Sequence, residues 1–512
     1  MANNTFLNSL KKGTNYTLTE NGAVTHKSTL NDLYDMFALG AAMRNRSNED
    51  ILLMWRKAYE YDPLYALKCL FYIRDVRGGQ GERRFFRICI KDLANRDPDA
   101  MKRNLKYIPE FGRYDDLYAL VGTSLEDEMF SLIKKQLALD LQCNTPSLLA
   151  KWLKSENTSS KNSRYLANKT RVYLNMTHKE YRKVLSTLRE RINVLERLMS
   201  ANRWDEIEFD KIPSKAGLVY RNAFARRDIL KEKYRKFALD DSTKVNAKTL
   251  YPYECVAEAL KLFRTGFYST MRELPALDDT QRIMVNKYWK NLDNYFNGAS
   301  FNGIAVVDTS GSMVRSDASA PINVAISLGL YCAEKAKGPF AGHYISFASR
   351  PQLIETKGVD FVDKVQRIYK TNLVDNTNIK GVFDLLLDTA RRNNCSQDEI
   401  PQNIIIISDM EFDDCASPGY WGRGSFPSFN RANAETLLEG IADEWTRAGY
   451  QMPKLIFWDV DARQNNIPML SNGPISYVSG FSPSIFETIM SGKTGINLMY
   501  EKLDSERYSC IK

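Results

Sequence analysis

Histidine is scarce in this chain: His26, His178 and His343 are the only three in 512 residues, and they stand far apart. The eight cysteines, at 69, 89, 143, 255, 332, 395, 415 and 510, include no C-x-x-C pair. A zinc enzyme therefore has almost nothing to draw on. Cysteines so dispersed do not make a disulfide framework either, and they read as reduced, mostly buried thiols. No apolar run approaches the roughly 20 residues that span a bilayer, so a transmembrane helix and a membrane partner are excluded from the expectation. The start, Met1-Ala2-Asn3-Asn4-Thr5, leads into polar sequence without the apolar core of a signal peptide, which predicts a cytoplasmic address.

What is present is a globular composition, 44% hydrophobic and 26% charged, long enough for two or three domains. The net charge of +9 conceals a division. Residues 1–300 carry 51 Lys and Arg against 37 Asp and Glu, whereas 301–512 carry 20 against 25. Residues 151–236 alone hold 22 basic and 10 acidic side chains, a block that reads either as a phosphate-binding surface or as solvated helix faces.

The hydrophobic rhythm divides at the same place. From about Leu30 to Asn297 apolar residues return at helical spacing, as in Leu30-Leu33-Phe37-Ala41 and Tyr181-Leu185-Leu188-Ile192, with turn signals at short intervals. This predicts a basic, helical-repeat-like region over 1–297, although no fixed period is present. After Phe296-Asn297-Gly298 strand and helix alternate. Strands are expected at Ile304–Val307, His343–Phe347, Ile404–Ile407, Leu455–Trp458 and Ile475–Val478, with helices at 323–336, 359–369, 379–392, 432–448 and 483–490. Such alternation predicts an α/β, doubly wound parallel sheet over 298–512, with its site beyond the carboxyl ends of the strands.

The first strand runs into Asp308-Thr309-Ser310-Gly311-Ser312. A carboxylate and two hydroxyls at alternate positions past a strand end can converge on one cation, and hard oxygen donors suit Mg2+, Ca2+ or Mn2+. This D-x-S-x-S pattern resembles the first loop of the metal-ion-dependent adhesion site (MIDAS) of von Willebrand A domains. The resemblance implies a second-loop Thr, for which Thr377 stands in place, although Thr377 reads equally well as an N-cap. It also implies a third-loop Asp, for which Asp409 ends the run Ile404–Ile407. The chain departs from that family's common Thr-Asp-Gly by continuing Met410-Glu411-Phe412-Asp413-Asp414. The implied site consists of Asp308, Ser310, Ser312, Thr377 and Asp409, binds Mg2+ (or Ca2+ or Mn2+), and leaves one position for an acidic protein partner.

Further segments are Arg74-Asp75-Val76-Arg77-Gly78-Gly79-Gln80-Gly81-Glu82-Arg83, Gly112-Arg113-Tyr114-Asp115-Asp116-Leu117, Phe457-Trp458-Asp459-Val460-Asp461-Ala462-Arg463 and Val478-Ser479-Gly480-Phe481-Ser482-Pro483. Together they resemble an uncharacterised family of phages, large DNA viruses, fungi and plants that joins a helical region to a von Willebrand A domain. More distantly the layout is similar to the Ro (TROVE) RNA-binding proteins, which implies RNA as a partner.

The glycine loop reads either as a phosphate cradle lined by Arg74, Arg77, Arg83 and Arg84 or as a tight helix–helix turn. Lys161, Arg164, Lys169 and Arg171 are further nucleic-acid candidates, and Tyr165, Tyr173, Tyr181, Trp204 and Tyr220 are either base-stacking platforms or core. The expected function is a non-enzymatic RNA-binding protein with a metal-dependent partner site. A protein scaffold without RNA is the alternative, and a metal-dependent nuclease or phosphatase on Asp409, Glu411, Asp413 and Asp414 is a third reading.

Overall fold

The computed structural model describes residues 14–20, 24–261, 279–315, 317–371, 378–412, 437–465, 467 and 475–512. A short antiparallel hairpin, β1 (Tyr16–Leu18) and β2 (Val24–His26), precedes a long series of helices. Six strands follow: β3 (Gly303–Asp308), β4 (His343–Phe347), β5 (Gln352–Glu355), β6 (Asn403–Ser408), β7 (Lys454–Asp459) and β8 (Ser476–Ser479). They form one sheet in the order β5-β4-β3-β6-β7-β8, parallel except where β5 turns back along β4. The C-terminal part is therefore α/β, with a mixed rather than wholly parallel sheet.

Local sequence explains the elements. Helix Asn48–Tyr61 starts at Ser47, whose hydroxyl accepts the Asp50 N–H, has Glu49 and Asp50 in its first turn, and buries Ile51, Met54, Trp55 and Ala58 on one stripe. All six residues of β3 are buried, the signature of a strand covered on both faces. Helix Pro321–Lys335 opens on proline, is buried through most of its length, and packs on β3 and on helix Pro252–Lys261.

That last contact shows that the change of architecture near residue 297 is no gap in packing. Helix Asp32–Leu39 lies against β8 and helix Gly495–Leu503. The buried Tyr34 hydroxyl accepts the Tyr477 N–H at 3.1 Å. The guanidinium of Arg44 sits 3.6 Å over the Phe481 ring, whose edge meets Tyr253. Asp75 pairs with Arg507, accepts the Tyr508 hydroxyl at 3.1 Å, and is itself fully buried. No helix among the described residues is long and apolar enough to cross a membrane.

Candidate metal centre at the carboxyl edge of the sheet

β3 and β6 are neighbours with Val307 opposite Ile407, so Asp308 and Ser408 emerge side by side and Asp409 follows one residue later. The Ser408 hydroxyl donates to Asp308 Oδ2 at 2.5 Å, and the Ser310 N–H donates to Asp308 Oδ1 at 2.8 Å. The hydroxyls of Ser310 and Ser312 are 3.0 Å apart. The first loop thus gathers its carboxylate and both hydroxyls. Thr377 lies outside the described residues, as do Asp413 and Asp414.

The turn after Asp409 carries a backbone signal. Met410 has φ +63°, a left-handed conformation that costs a side chain other than glycine roughly 1–2 kcal/mol. The chain thus keeps, with a buried methionine, a conformation that glycine favours, and the Met410 N–H donates to Ser408 Oγ at 3.0 Å. Strain of this kind clusters where a loop must hold one shape.

The electrostatics are one-sided. Asp308, Asp409, Glu411, Asp459 and Asp461 are all at most 2% exposed. Burial, and after it the neighbouring Asp409, pushes Asp308 up to about 7 against the hydrogen bonds from Ser408 and Ser310. Burial pushes Asp459 up to about 8, although it accepts the Tyr477 hydroxyl at 2.8 Å, and it raises Asp461 and Glu411 as well. Among the described residues two guanidiniums lie against these carboxylates: Arg463, 2.9 Å from Asp409, and Arg315, which pairs with Asp461. So many carboxylates taken out of water together favour a bound cation or bound protons at this edge.

The donors are hard oxygens and fit Mg2+, Ca2+ or Mn2+ better than softer ions. Among the described residues no three His, Cys, Asp or Glu side chains are gathered to share one ion. A cation here would rest on Asp308 and Asp409 with the hydroxyls of Ser310 and Ser312. The N-terminal segment reaches the same edge. The Thr19 hydroxyl donates to the Phe412 carbonyl at 2.6 Å, the Glu20 N–H to Glu411 Oε2 at 2.6 Å, and Glu20 pairs with Arg463 at 3.3 Å. Asn45 donates to Asp461 at 3.0 Å. These contributors are not evident from the sequence, where Asp459 and Asp461 stand only within the segment Phe457–Arg463. For Asp459 and Asp461 the signal was a carboxylate at, or two residues past, the end of a buried strand, while Thr19, Glu20 and Asn45 carry no such signal.

The nucleic-acid candidates are differently placed. The glycine loop forms the tight turn that was its other reading: Gln80 N–H donates to the Tyr72 carbonyl, Gly81 N–H to that of Asp75 and Glu82 N–H to that of Ile73, so these three backbone donors are used internally. A Cβ on Gly79 would stand 2.0 Å from the Tyr72 carbonyl, so glycine here lets chain pass against chain. Arg74 is 1% exposed and holds the fully buried Asp116 through Nε (2.9 Å) and Nη2 (2.7 Å), so it offers nothing to an external phosphate. Arg77 and Arg84 bond backbone carbonyls, Arg77 that of Glu110 and Arg84 those of Arg44 and Arg46, and Arg83 is exposed. Arg164 bonds the Thr158 carbonyl, Lys169 pairs with Glu126 and Arg171 with Glu156, while Lys161 is exposed. Tyr181 and Trp204 belong to the core, Tyr173 stacks on Phe130, Tyr220 is half-buried, and Tyr165 is exposed.

The four segments quoted for the family resemblance meet in space. Arg74 and Asp116 join the first two, and Asp459 and Asp461 enter the acidic edge. A Cβ on Gly480 would stand 2.4 Å from Gln80 Oε1, which places the fourth segment against the first. The family described as a domain of unknown function (DUF2828) matches residues 19–147 and 136–296, more than half of the protein. The chain belongs to the DUF2828 family. A second domain of unknown function (DUF7788) matches residues 302–508. An uncharacterised protein of Acanthamoeba polyphaga mimivirus is 28% identical, over 94% of this DUF2828 chain and 85% of its own length.

Proposed function

We propose that this DUF2828 protein is a non-enzymatic binding protein. Its C-terminal part is a von Willebrand A-type domain whose carboxyl edge holds a divalent cation, Mg2+ or else Ca2+ or Mn2+, and captures an acidic group of a protein partner. The observation that carries the reading is Asp308, Ser310 and Ser312 packed beside Asp409 amid further buried carboxylates. When bound, such a cation supplies a Lewis-acidic position that accepts an outside carboxylate. The protein's own share is to hold Asp308 between Ser408 and the Ser310 backbone, and to keep Asp409 in place through Arg463.

RNA is the proposed partner of the helical region, on the strength of the 22 basic against 10 acidic residues in 151–236. The core placement of Tyr181 and Trp204 favours the second reading, a protein scaffold without RNA.

Titration calorimetry and thermal melts with Mg2+ test the metal site. The unaltered protein should gain stability as Mg2+ rises, by about 2.7 kcal/mol at 100 times the dissociation constant. Asp308→Ala should abolish that gain and leave the fold intact. An unchanged gain in Asp308→Ala removes the metal site. Absence of a labelled-RNA shift at low ionic strength removes the RNA partner.

A further inference from the structure

Asp115 and Asp116 lie at the centre of a cationic cluster assembled from four parts of the helical region. Arg74 binds Asp116, Arg87 reaches both carboxylates at 3.0 and 2.7 Å, Arg113 grips Asp115 at 2.9 Å, and Lys154 stands 3.6 Å from it. Arg83 lies one helical turn before Arg87, whose N–H donates to the Arg83 carbonyl at 3.0 Å, so the two side chains share a face of the helix. Among the described residues five cations thus gather about two carboxylates, an excess of three positive charges. Arg87, Arg113 and Lys154 are each partly open to solvent, and Arg83 is exposed.

Two details show that the excess is unspent. Among the described residues Arg83 has neither an ion pair nor a side-chain cap bond, although it is the N-cap of helix Arg84–Arg96. Arg87 Nη2 is buried, and its one partner among the described residues is the Asp115 carboxylate at 3.0 Å. Helix starts favour acidic residues, since the N-terminus carries partial positive charge. This helix has none in its first turn and instead begins Arg83-Arg84 with Arg87 one turn on. Partial burial, followed by Arg113, Arg87 and Arg74, lowers the Arg83 pKa.

We infer that Arg83, Arg87 and Arg113 form an oxyanion site for a phosphate group, with the dianionic monoester preferred over the monoanionic diester. A guanidinium fork matches phosphate oxygens, and an excess of three charges is better offset by two negative charges than by one. Arg74 is the buried anchor that holds Asp116, and through it Arg87, in place. The site stands on this geometry and does not require the RNA reading. Inorganic phosphate, a nucleotide and the phosphorylated end of an RNA share the chemistry.

Trp152 supplies a reporter, because the Arg113 guanidinium stacks 3.9 Å from its ring. Titration of the full-length protein with inorganic phosphate should change its fluorescence, and Trp152→Phe should remove most of that change while calorimetric binding persists. Arg83→Glu should weaken phosphate binding at least tenfold without lowering the melting temperature, since Arg83 holds no structural partner. Arg83→Lys should retain part of the binding. A 5′-phosphorylated oligoribonucleotide should bind more tightly than its 5′-hydroxyl counterpart. Equal phosphate affinity in the unaltered protein and Arg83→Glu, or no phosphate binding at all, overturns the site. Equal affinity for the two oligonucleotides overturns the monoester preference. Phosphate binding with neither oligonucleotide bound leaves the site standing and sinks the RNA partner instead.

Discussion

Replacing Arg74 by alanine separates two roles that the sequence left open. Arg74 and Asp116 are 1% and 0% exposed, and three hydrogen bonds converge on Asp116 Oδ2: two from Arg74 at 2.9 and 2.7 Å and one from the Arg113 N–H at 2.9 Å. Arg74→Ala leaves a carboxylate in the interior with one guanidinium, Arg87, at 2.7 Å on its other oxygen. Breaking a buried pair by removing one partner costs about 3–5 kcal/mol. The surviving Arg87 contact places the expected loss near 3 kcal/mol, and neither group is open enough to need a discount for screening. With a denaturant slope of about 3 kcal/mol per molar urea, the unfolding midpoint should fall by about 1 M. Arg74→Lys should recover only part of this, because an ammonium cannot make the two-pronged contact. A surface phosphate ligand behaves in the opposite way: its loss weakens RNA binding and lowers the salt slope by about 1 while stability stays put. An unchanged urea midpoint in Arg74→Ala, with RNA affinity reduced, would refute the structural role.

Two further outcomes are expected. Residues 298–512 expressed alone lose helix Asp32–Leu39, which covers β8, so the fragment should bind a hydrophobic dye and lack a cooperative melt; a cooperative melt with native near-ultraviolet circular dichroism would make the C-terminal part independent. Asp35 is pushed up to about 6 by burial, against hydrogen bonds from Ser28 and Thr29. Since its folded value lies above the unfolded one near 3.8, folding is favoured with the proton on: stability should fall by about 3 kcal/mol as pH rises from about 3 to about 7, about 2 kcal/mol of it between pH 4 and 6. Asp35→Asn should flatten that slope in urea melts, and an unaltered slope would count against the assignment.

Much of the sheet was legible because buried parallel strands are written as uninterrupted apolar runs. Gly303–Val307 runs directly into Asp308, and Ile404–Ile407 reaches Asp409 after Ser408, which located the acidic edge. β5 escaped because an edge strand open to solvent needs no apolar run, and Gln352-Leu353-Ile354-Glu355 has too little periodicity to stand out. The three-residue strands of the N-terminal hairpin were too short to register. The burial of Arg74 was illegible for a different reason: in an arginine-rich loop nothing local distinguishes the one guanidinium whose carboxylate lies 42 positions away. Asp459, Asp461, Glu20 and Asn45 join the site only through tertiary packing.

The contact between Tyr34 and Tyr477 spans 443 positions, and that between Asp75 and Tyr508 spans 433. A ribosome adding about 5–20 residues per second takes roughly 20–90 s to make the intervening chain. Throughout that interval the apolar side chains that helix Asp32–Leu39 presents to β8 have no sheet to cover. The nascent protein must shelter them with the helices already made or with a chaperone, and the acidic edge reaches its final form only when the last strand has left the exit tunnel.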